Sequence, residues 1–458
     1  MLKNKRNLIQ ICLLIAVLLP ALISVAQPVT KIAGGGYHSL ILKGDGSFWA
    51  MGDNQYGQLG DGTTNNINLP EQIVASNVTA IAGGITHTLF LKSDGSLWAM
   101  GDNSYGQLGD GTTNNNNLPE QIVASNVTAV VAGGGHSLFL KSDGSLWAMG
   151  WNNYGQLGDG TYNNTNFPEM IVASNVTEIA GGYCHSLFLK SDGSLWAMGY
   201  DQYGQLGDGM GNGNYENGNF PKTNYPEEIV ASNVTAIAAG QIHSLFLKSD
   251  GSLWVMGYDG WGALGDGREI YVPTCTNLPE QIVSSNVTAI SGGYHSLFLK
   301  SDGSLWGMGE NDNGELGDGT YNQANTPVQI VSNGVTAIAA GIYHTLFLKN
   351  DGSLWAMGDN QYGQLGDGTL NSTNRPEQIV AGTPGYNQIS AQLLSGGNVS
   401  LSYMGLAGTN YELDLSFSLS PVNWMPQVTN SAGAGGVLVF TNTPNAATNN
   451  FWRIRSVP

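Results

Sequence analysis

The chain has 458 residues, of which only 11% are charged and 65 are glycine, and its formal net charge is -18. Low charge with frequent glycine predicts many short strands joined by tight turns rather than long charged helices. A surface this acidic repels phosphate backbones and anionic lipid, so the composition argues against nucleic acid or a membrane surface as a partner.

The first residues of the chain, 1–26, have the features of an export signal. A basic start is followed by a largely apolar run over residues 8–19 and by small residues at 24–26. Cleavage after Ala26 would leave a chain with no membrane insertion, and it predicts secretion or a periplasmic or cell-surface location. A retained membrane anchor is the weaker alternative because Pro20 interrupts the apolar run.

Residues 28–381 consist of seven near-copies of a segment of about fifty residues. Each copy contains one histidine, and these are His38, His87, His136, His185, His243, His295 and His344. A tryptophan follows eleven residues after each histidine, at Trp49, Trp98, Trp147, Trp196, Trp254, Trp306 and Trp355. The constant spacing places the copies in strict register and indicates an array of identical supersecondary units.

Turn chemistry divides the second copy into four short strands. They are predicted at Val78–Ala82, His87–Lys92, Leu97–Met100 and Glu120–Val123. Asp94-Gly95 supplies the glycine that a tight hairpin needs, and Pro119 suits a strand at the sheet edge.

Seven such units predict an all-β, seven-bladed β-propeller, in which radial closure lets each blade bury both faces. A solenoid is the alternative, but it needs atypical capping repeats, and the first and last copies look like the interior ones. Closure is predicted to pair the last run, Pro376–Val380, with strands of the first copy.

The repeat also resembles a known family. The segment GGITHTLFLKSDGSLWAMGDNSYGQLGDGT, residues 83–112, is similar to the regulator of chromosome condensation repeat, and related copies fill residues 28–381. The resemblance implies a seven-bladed propeller. Together with the export signal, it suggests a secreted bacterial-type member that covers a protein partner with one loop face.

The repeated polar and aromatic residues have structural and chemical interpretations. The seven histidines could form a ring of metal ligands, but a position at the head of an apolar strand favours a hydrogen bond to a neighbouring backbone group that holds blade against blade. The seven tryptophans are expected in the core. The acids of the repeated Leu-Gly-Asp-Gly sequence, such as Asp61 and Asp110, match no calcium loop and favour a turn role.

Functional residues are expected where the copies differ, on loops that a packed scaffold holds in place. In an antiparallel blade, the loop before each histidine and the loop after each tryptophan strand leave the sheet on the same side. The aromatic residues of these loops are predicted to form a binding surface that is exposed to solvent. The candidates are Trp151, Tyr154, Tyr183, Tyr200, Tyr203, Tyr258, Trp261, Tyr294 and Tyr343.

The regularly repeated tyrosines among these loops, such as Tyr56 and Tyr105, could instead pack their own loops.

Residues 387–458 lack the repeat, and their alternating runs predict a small antiparallel β-sandwich. Cys184 and Cys275 could pair or remain free thiols.

The sequence contains no recognisable set of catalytic residues and calls for no cofactor or metal. It therefore predicts a non-catalytic protein that binds an extracellular or envelope protein. Binding of a glycan, or adhesion at the cell surface, is the alternative.

Overall fold

A computed structural model describes residues 27–211, 221–269, 275–383, 389–393, 399–405, 409–416, 425–432, 437–442 and 451–457. The predicted export signal lies outside the described residues and stays a prediction. Within the described ranges, no helix is long and apolar enough to cross a membrane.

In the described residues of the repeated part, twenty-eight strands form seven blades of four strands each. Blade 1 has β1 (Val29–Gly34), β2 (His38–Lys43), β3 (Phe48–Gly52) and β4 (Ile67–Val74). Blade 2 has β5 (Val78–Gly83), β6 (His87–Lys92), β7 (Leu97–Gly101) and β8 (Asn116–Val123). Blade 3 has β9 (Val127–Ala132), β10 (His136–Lys141), β11 (Leu146–Gly150) and β12 (Thr165–Val172). Blade 4 has β13 (Val176–Gly181), β14 (His185–Lys190), β15 (Leu195–Tyr200) and β16 (Lys222–Val230).

The remaining blades repeat the same order. Blade 5 has β17 (Val234–Ala239), β18 (His243–Lys248), β19 (Leu253–Tyr258) and β20 (Cys275–Val283). Blade 6 has β21 (Val287–Gly292), β22 (His295–Lys300), β23 (Leu305–Gly309) and β24 (Ala324–Val331). Blade 7 has β25 (Val335–Ala340), β26 (His344–Lys349), β27 (Leu354–Gly358) and β28 (Thr373–Val380).

Every blade is a separate four-stranded antiparallel sheet whose strands pair in chain order. This confirms the all-β, seven-bladed prediction. The predicted closure is wrong: Pro376–Val380 lies in β28, which pairs with β27 of its own blade. Blade 7 meets blade 1 by packing of β1 against β25 and β26, and no strand is exchanged.

Neighbouring blades share their hydrophobic cores. In the core between blades 2 and 3, Phe139 and Met149 of blade 3 pack against Leu89, Leu91 and Leu97 of blade 2, and all five are buried. The core between blades 7 and 1 is built in the same way, with Ile41 in the place of the phenylalanine and Met51 of blade 1 against the leucines of blade 7. Each blade is therefore held by the apolar surface of the next.

The seven histidines join the blades in a closed ring of hydrogen bonds. Each Nε2 lies 2.7–3.0 Å from a serine or threonine hydroxyl of the following blade, and His344 of blade 7 reaches Ser39 of blade 1 at 2.8 Å. The structural interpretation of the histidines is confirmed, although the partner is a hydroxyl and not the predicted backbone group.

The hydroxyls determine which histidine nitrogen carries the proton. Ser39 Oγ donates its single hydrogen to the carbonyl of Gln364 at 2.7 Å, so His344 must donate from Nε2. Nδ1 is then a buried lone pair, and among the described residues it has no hydrogen-bond partner in His344. Burial lowers the pKa of His344 to about 3 because a second proton would be desolvated there.

The repeated tryptophans are half-buried and not fully in the core as expected. Trp49 donates from Nε1 to Ser47 Oγ at 2.9 Å, and the Lys43 ammonium lies 3.7 Å from the centre of its ring. All seven tryptophans carry a lysine in this way. The repeated acids have the predicted turn role, since Asp61 Oδ1 accepts hydrogen bonds from the Thr63 amide and from Asn54.

The described ranges between residues 389 and 457 contain six strands in two three-stranded sheets. They are β29 (Ile389–Leu393), β30 (Val399–Met404), β31 (Asn410–Ser416), β32 (Met425–Ser431), β33 (Val437–Asn442) and β34 (Phe451–Val457). The sheet orders are β29-β30-β33 and β32-β31-β34, and Leu401, Leu413 and Phe440 share one core between them. This agrees with the predicted small sandwich.

Replacing His344 by Gln should make stability less dependent on pH. The folded pKa is lower than the unfolded value, so the histidine's contribution is present above about pH 6.5 and is lost as pH falls toward 4. Gln can still donate to Ser39 but does not titrate. Urea unfolding from pH 7 to 4.5 should show a slope reduced by up to about 1.4 kcal/mol per pH unit. An unchanged slope would contradict the buried neutral imidazole.

Candidate functional site

The loops before the histidines and those after the tryptophan strands lie side by side, as predicted. In blade 1 the Asp53 amide donates to the carbonyl of Tyr37 at 2.8 Å, and in blade 4 the Tyr200 amide donates to the carbonyl of Cys184 at 2.9 Å. The Asp-Gly hairpins lie at the other ends of these strands. We call the side with the paired loops the loop face and the other side the hairpin face.

The centre of the propeller is narrow and lined by backbone. A cavity of about 60 Å³ is bounded by glycines from all the blades but blade 5, which contributes Ala239 and Gln241. At Gly34, a Cβ atom would lie 2.5 Å from the backbone nitrogen of Gly341, so a side chain does not fit there. The centre therefore has room only for water-sized molecules, and a larger ligand must bind on the surface.

Aromatic rings form a nearly continuous arc over the loop face, which we call the aromatic arc. Successive ring centroids lie 4.7–6.3 Å apart, within the range of favourable ring contacts. In order, the rings are Tyr105, Trp151, Tyr154, Tyr200, Tyr203, Tyr258, Trp261, Tyr294, Tyr343, Tyr37 and Tyr362. Tyr183 contacts Trp151 from the side.

All nine predicted site residues thus lie in or against the aromatic arc, but they are less exposed than predicted. Only Tyr183 is exposed, at 41%, and the other eight are half-buried because the rings cover one another. Tyr56 is also exposed at 41%, whereas Tyr105 stacks on Trp151 at 5.2 Å and does not pack its own loop. Tyr37 and Tyr362 belong to the arc although they were outside the predicted set.

One loop position divides the loop face into two parts. The residue directly after the Met-Gly pair of the third strand is acidic in blades 1, 2, 6 and 7, at Asp53, Asp102, Glu310 and Asp359. The same position is aromatic in blades 3, 4 and 5, at Trp151, Tyr200 and Tyr258. Blades 3 to 5 therefore provide an aromatic sector, and the others provide an acidic sector.

The change from acid to aromatic leaves buried amides without their partner. In blade 1, Gln58 Nε2 donates to Asp53 at 2.8 Å, and blades 2 and 7 have the same bond. Gln156 and Gln205, the equivalent residues of blades 3 and 4, have an Nε2 without a partner among the described residues, as does Trp151 Nε1. Such unpaired groups cost about 1–3 kcal/mol each, so the aromatic sector gives up internal hydrogen bonds.

A second loop position carries buried carboxyl groups only in blades 4 and 5. Elsewhere an asparagine such as Asn54 donates to the turn aspartate at 2.9 Å. Asp201 replaces it in blade 4, where burial and the neighbouring Asp208 carboxyl raise the pKa of Asp201 to about 8. In blade 5, burial raises the pKa of Asp259 to about 7, while Arg268 opposes that rise.

Blade 6 has a carboxyl pair that the sequence analysis missed. Glu315 stands where blades 1 to 4 and blade 7 have glutamine, and it faces Glu310, which occupies the acidic position of the loop. Burial and the Glu315 charge raise the pKa of Glu310 to about 8. Alignment of the copies could have revealed the pair, since Gly-Glu-Leu-Gly-Asp-Gly occurs in one copy only.

The two cysteines in the described part of the chain, Cys184 and Cys275, are free thiols. Cys184 is buried next to His185, and burial raises the pKa of its thiol, so it is unreactive at neutral pH. Cys275 is half-buried at the start of β20. No group of three or more His, Cys, Asp or Glu side chains in the described parts of the chain is arranged to hold a metal ion.

Comparison with known proteins places the chain in a family. The family profile of the RCC1-like domain matches residues 123–405, which is more than half of the chain. The chain belongs to the RCC1-like family. Profiles of the regulator of chromosome condensation repeat match residues 45–91 and 94–140, and also 29–58 and 78–107.

Two curated relatives match shorter parts of the propeller. The ultraviolet-B receptor UVR8 of Arabidopsis thaliana is 31% identical over 111 residues, which is 23% of this chain and 24% of the receptor. Human protein RCC2 is 35% identical over 105 residues, which is 22% of this chain and 20% of RCC2. The chain thus spans about a quarter or less of the length of these relatives.

A solved structure supports the fold. Yeast RCC1 (Prp20), crystallised bound to Kap60, has 22% sequence identity and a TM-score of 0.65 over 80% of this chain and 86% of that one. A second study of the yeast protein describes its binding to Gsp1p and histones. These partners are intracellular proteins, so the prediction of an extracellular or envelope protein partner is wrong. Glycan binding stays a prediction. The relatives named here are eukaryotic, and the secreted bacterial-type assignment stays a prediction.

Replacing Asp201 by Asn should stabilise the chain because it restores the amide of the other blades. The pKa of Asp201 is higher in the folded chain than in the unfolded chain. The parent protein therefore loses stability as pH rises from 4 to 8. The variant should exceed the parent by at least about 1.4 kcal/mol at pH 7, and by more at pH 8. Urea unfolding at pH 5, 7 and 8 measures this difference.

Asp259→Asn is the matched comparison, and it should gain less because Arg268 already lies 2.7 Å from Asp266. Equal stability of the parent and the Asp201→Asn variant at every pH would contradict the raised pKa of Asp201.

Proposed function

We propose that this chain is a non-catalytic protein-binding propeller and that it engages its partner through the aromatic sector of the loop face. The observation that carries the proposal is the loss of buried hydrogen bonds at Gln156 and Gln205, where aromatic residues replace the acid. A scaffold that only had to fold would retain the self-sufficient loop of blades 1, 2 and 7.

The shape of the loop face favours a macromolecule over a small ligand. The central cavity holds about 60 Å³, far less than the volume of a typical small-molecule site. The aromatic arc is instead broad, and its rings are fixed by contact with one another. Rigid, half-buried Tyr and Trp rings are the side chains that dominate protein interfaces.

The relatives support the same class of function. Yeast RCC1, which shares the fold, is described as bound to Kap60 and as binding Gsp1p and histones. Those partners are partners of yeast RCC1. At 22% sequence identity, the comparison supports a shared fold and not a shared partner. Protein binding by this chain is therefore inferred from its own loop face.

A triple variant tests the proposal. Trp151→Ala, Tyr258→Ala and Trp261→Ala remove three rings of the aromatic sector and should release a protein partner retained by the immobilised parent. Loss of interface aromatics typically costs about 2 kcal/mol or more each. The matched control removes Phe167, Tyr225 and Leu278 of the outer strands of the same blades, which are 59–62% exposed. Equal retention by both variants would contradict the proposal, provided that circular dichroism shows both folded.

Export is a separate proposal that rests on residues 1–26. Expression of the full chain in its native host should give a mature protein that begins at Gln27 in the culture fluid or the periplasm. Mass spectrometry of the N-terminus checks this. A full-length chain confined to the cytoplasm would contradict export, and it would leave the binding proposal intact because the loop face is unchanged.

A further inference from the structure

The loop of blade 6 contains a carboxylate that no other group in the described structure satisfies. Glu310 is only 9% exposed, and its Oε2 atom is buried without a hydrogen-bond partner among the described residues. In blades 1, 2 and 7 the equivalent acid accepts a hydrogen bond from a glutamine. Blade 6 replaces that glutamine by Glu315, so the expected donor is missing.

Among the described residues, the charged groups that act on Glu310 are carboxyls. Glu315 accepts two hydrogen bonds from Asn313. The backbone amide of Asn313 donates to Oε2 at 3.0 Å, and its side-chain amide donates to Oε1 at 2.9 Å. Asp312 is a third carboxyl, and it is exposed. Tyr294 of blade 6 and Tyr343 of blade 7 have phenols near the same carboxyl group, and their ring centroids lie 5.2 Å apart.

The charge distribution of the whole propeller places this cluster on a face poor in cations. The seven repeated lysines lie at the hairpin ends of their strands, where each precedes an aspartate by two residues, as Lys43 precedes Asp45. On the loop side, the cations of the described residues are Lys222, Arg268 and Arg375, and Arg268 is paired with Asp266 and Glu280. The loop side therefore carries the excess negative charge and attracts a cationic partner.

The chemistry around Glu310 suits a guanidinium group. A guanidinium is planar, donates in a fork that matches a carboxylate, and stacks on aromatic rings. Glu310 offers the carboxylate, and the adjacent Tyr294 and Tyr343 offer the rings. An ammonium group is compact and not planar, so it would make less contact with the two rings than a guanidinium does.

We propose that the blade 6 loop binds an arginine side chain of a protein segment, with Glu310 as its acceptor and Tyr294 and Tyr343 as its stacking surface. This inference rests on the proposed protein-binding function and names the chemistry of the partner. The arginine replaces the amide donor that the other loops provide internally.

Binding of the arginine should release a proton from Glu310. Without a cation, burial and the charges of Glu315 and Asp312 raise the pKa of Glu310 to about 8, so the group is largely protonated at pH 7. A guanidinium favours the ionised carboxylate, so binding at pH 7 releases up to one proton. Affinity should accordingly rise as pH increases from 6 to 8.

Isothermal titration calorimetry of the full chain with the peptide Gly-Arg-Gly-Arg-Gly tests the proposal. Titration in phosphate and in Tris at pH 7 measures the released proton, and a peptide with citrulline in place of arginine should bind at least about tenfold more weakly, as expected for loss of a charge-assisted hydrogen bond. Binding of the two peptides with equal affinity would overturn the proposal.

Glu315→Gln is the decisive variant because it restores the residue of five other blades and should fold normally. It supplies Glu310 with an amide, so arginine-peptide affinity should fall at least about tenfold and proton release should disappear. Glu377→Gln, at an exposed position of β28, removes the same charge and should bind like the parent. Unchanged affinity of the Glu315→Gln variant, or displacement of the peptide by millimolar calcium with the same proton release, would overturn the arginine assignment.

The two proposals fail separately. A double variant at Trp151 and Tyr258, which keeps the contact of Trp261 with Tyr294, should lose the protein partner but still bind the short arginine peptide, because the ring contacts around the blade 6 loop are intact. Retention of the partner by that variant would contradict only the proposal that the aromatic sector binds the partner. Unchanged peptide binding after Glu315→Gln would contradict the arginine site alone.

Discussion

The structure depends on the closed ring of histidine–hydroxyl hydrogen bonds at the blade interfaces. Each imidazole lies fully buried between two blades, and each hydroxyl bonds both the imidazole of one blade and a loop carbonyl, as Ser39 does with His344 and Gln364. A hydrogen bond of this kind contributes about 1 kcal/mol. Its larger effect is geometric, because it sets the angle at which consecutive apolar cores meet and brings blade 7 against blade 1 without a shared strand.

The same bonds fix the loop face. The carbonyls that receive the hydroxyl hydrogens belong to the loop after the third strand, at Gln58 for Thr88 and at Gln107 for Ser137. The loop of one blade is thus tied to the second strand of the next blade. Rings carried by such loops are pre-organised, which reduces the entropy lost when a partner binds. Trp151 and Glu315 differ from the equivalent residues of the other blades. They therefore change the chemistry of the surface while the loop backbone stays the same.

The fold could be predicted from the sequence because seven in-register copies carry redundant information. Hairpin glycines and alternating apolar runs placed the first three strands of the second copy within one residue, whereas the edge strand begins at Asn116, four residues before the predicted Glu120. The parity of an antiparallel blade placed the aromatic loops on one face. The closure could not be predicted in this way, because a strand exchanged between first and last copies has the same sequence pattern as a complete blade.

Side-chain partnerships explain the remaining differences. The exposure of the aromatic residues depends on contacts between blades, such as Tyr154 with Tyr200 at 4.7 Å, which a single repeat does not encode. The unpaired Gln156 and the Glu310–Glu315 pair follow from comparing copies position by position. Composition and spacing alone do not show them, because each depends on which residue has lost its partner in space.

The most direct test of the account is hydrogen–deuterium exchange of the full chain with and without its protein partner. The account predicts that binding slows exchange in the loops around residues 151–155, 200–204 and 258–263, and that the hairpins around residues 44–47 and 93–96 are unaffected. Protection confined to the hairpins, or to the sheets of residues 389–457, would contradict a loop-face binding protein.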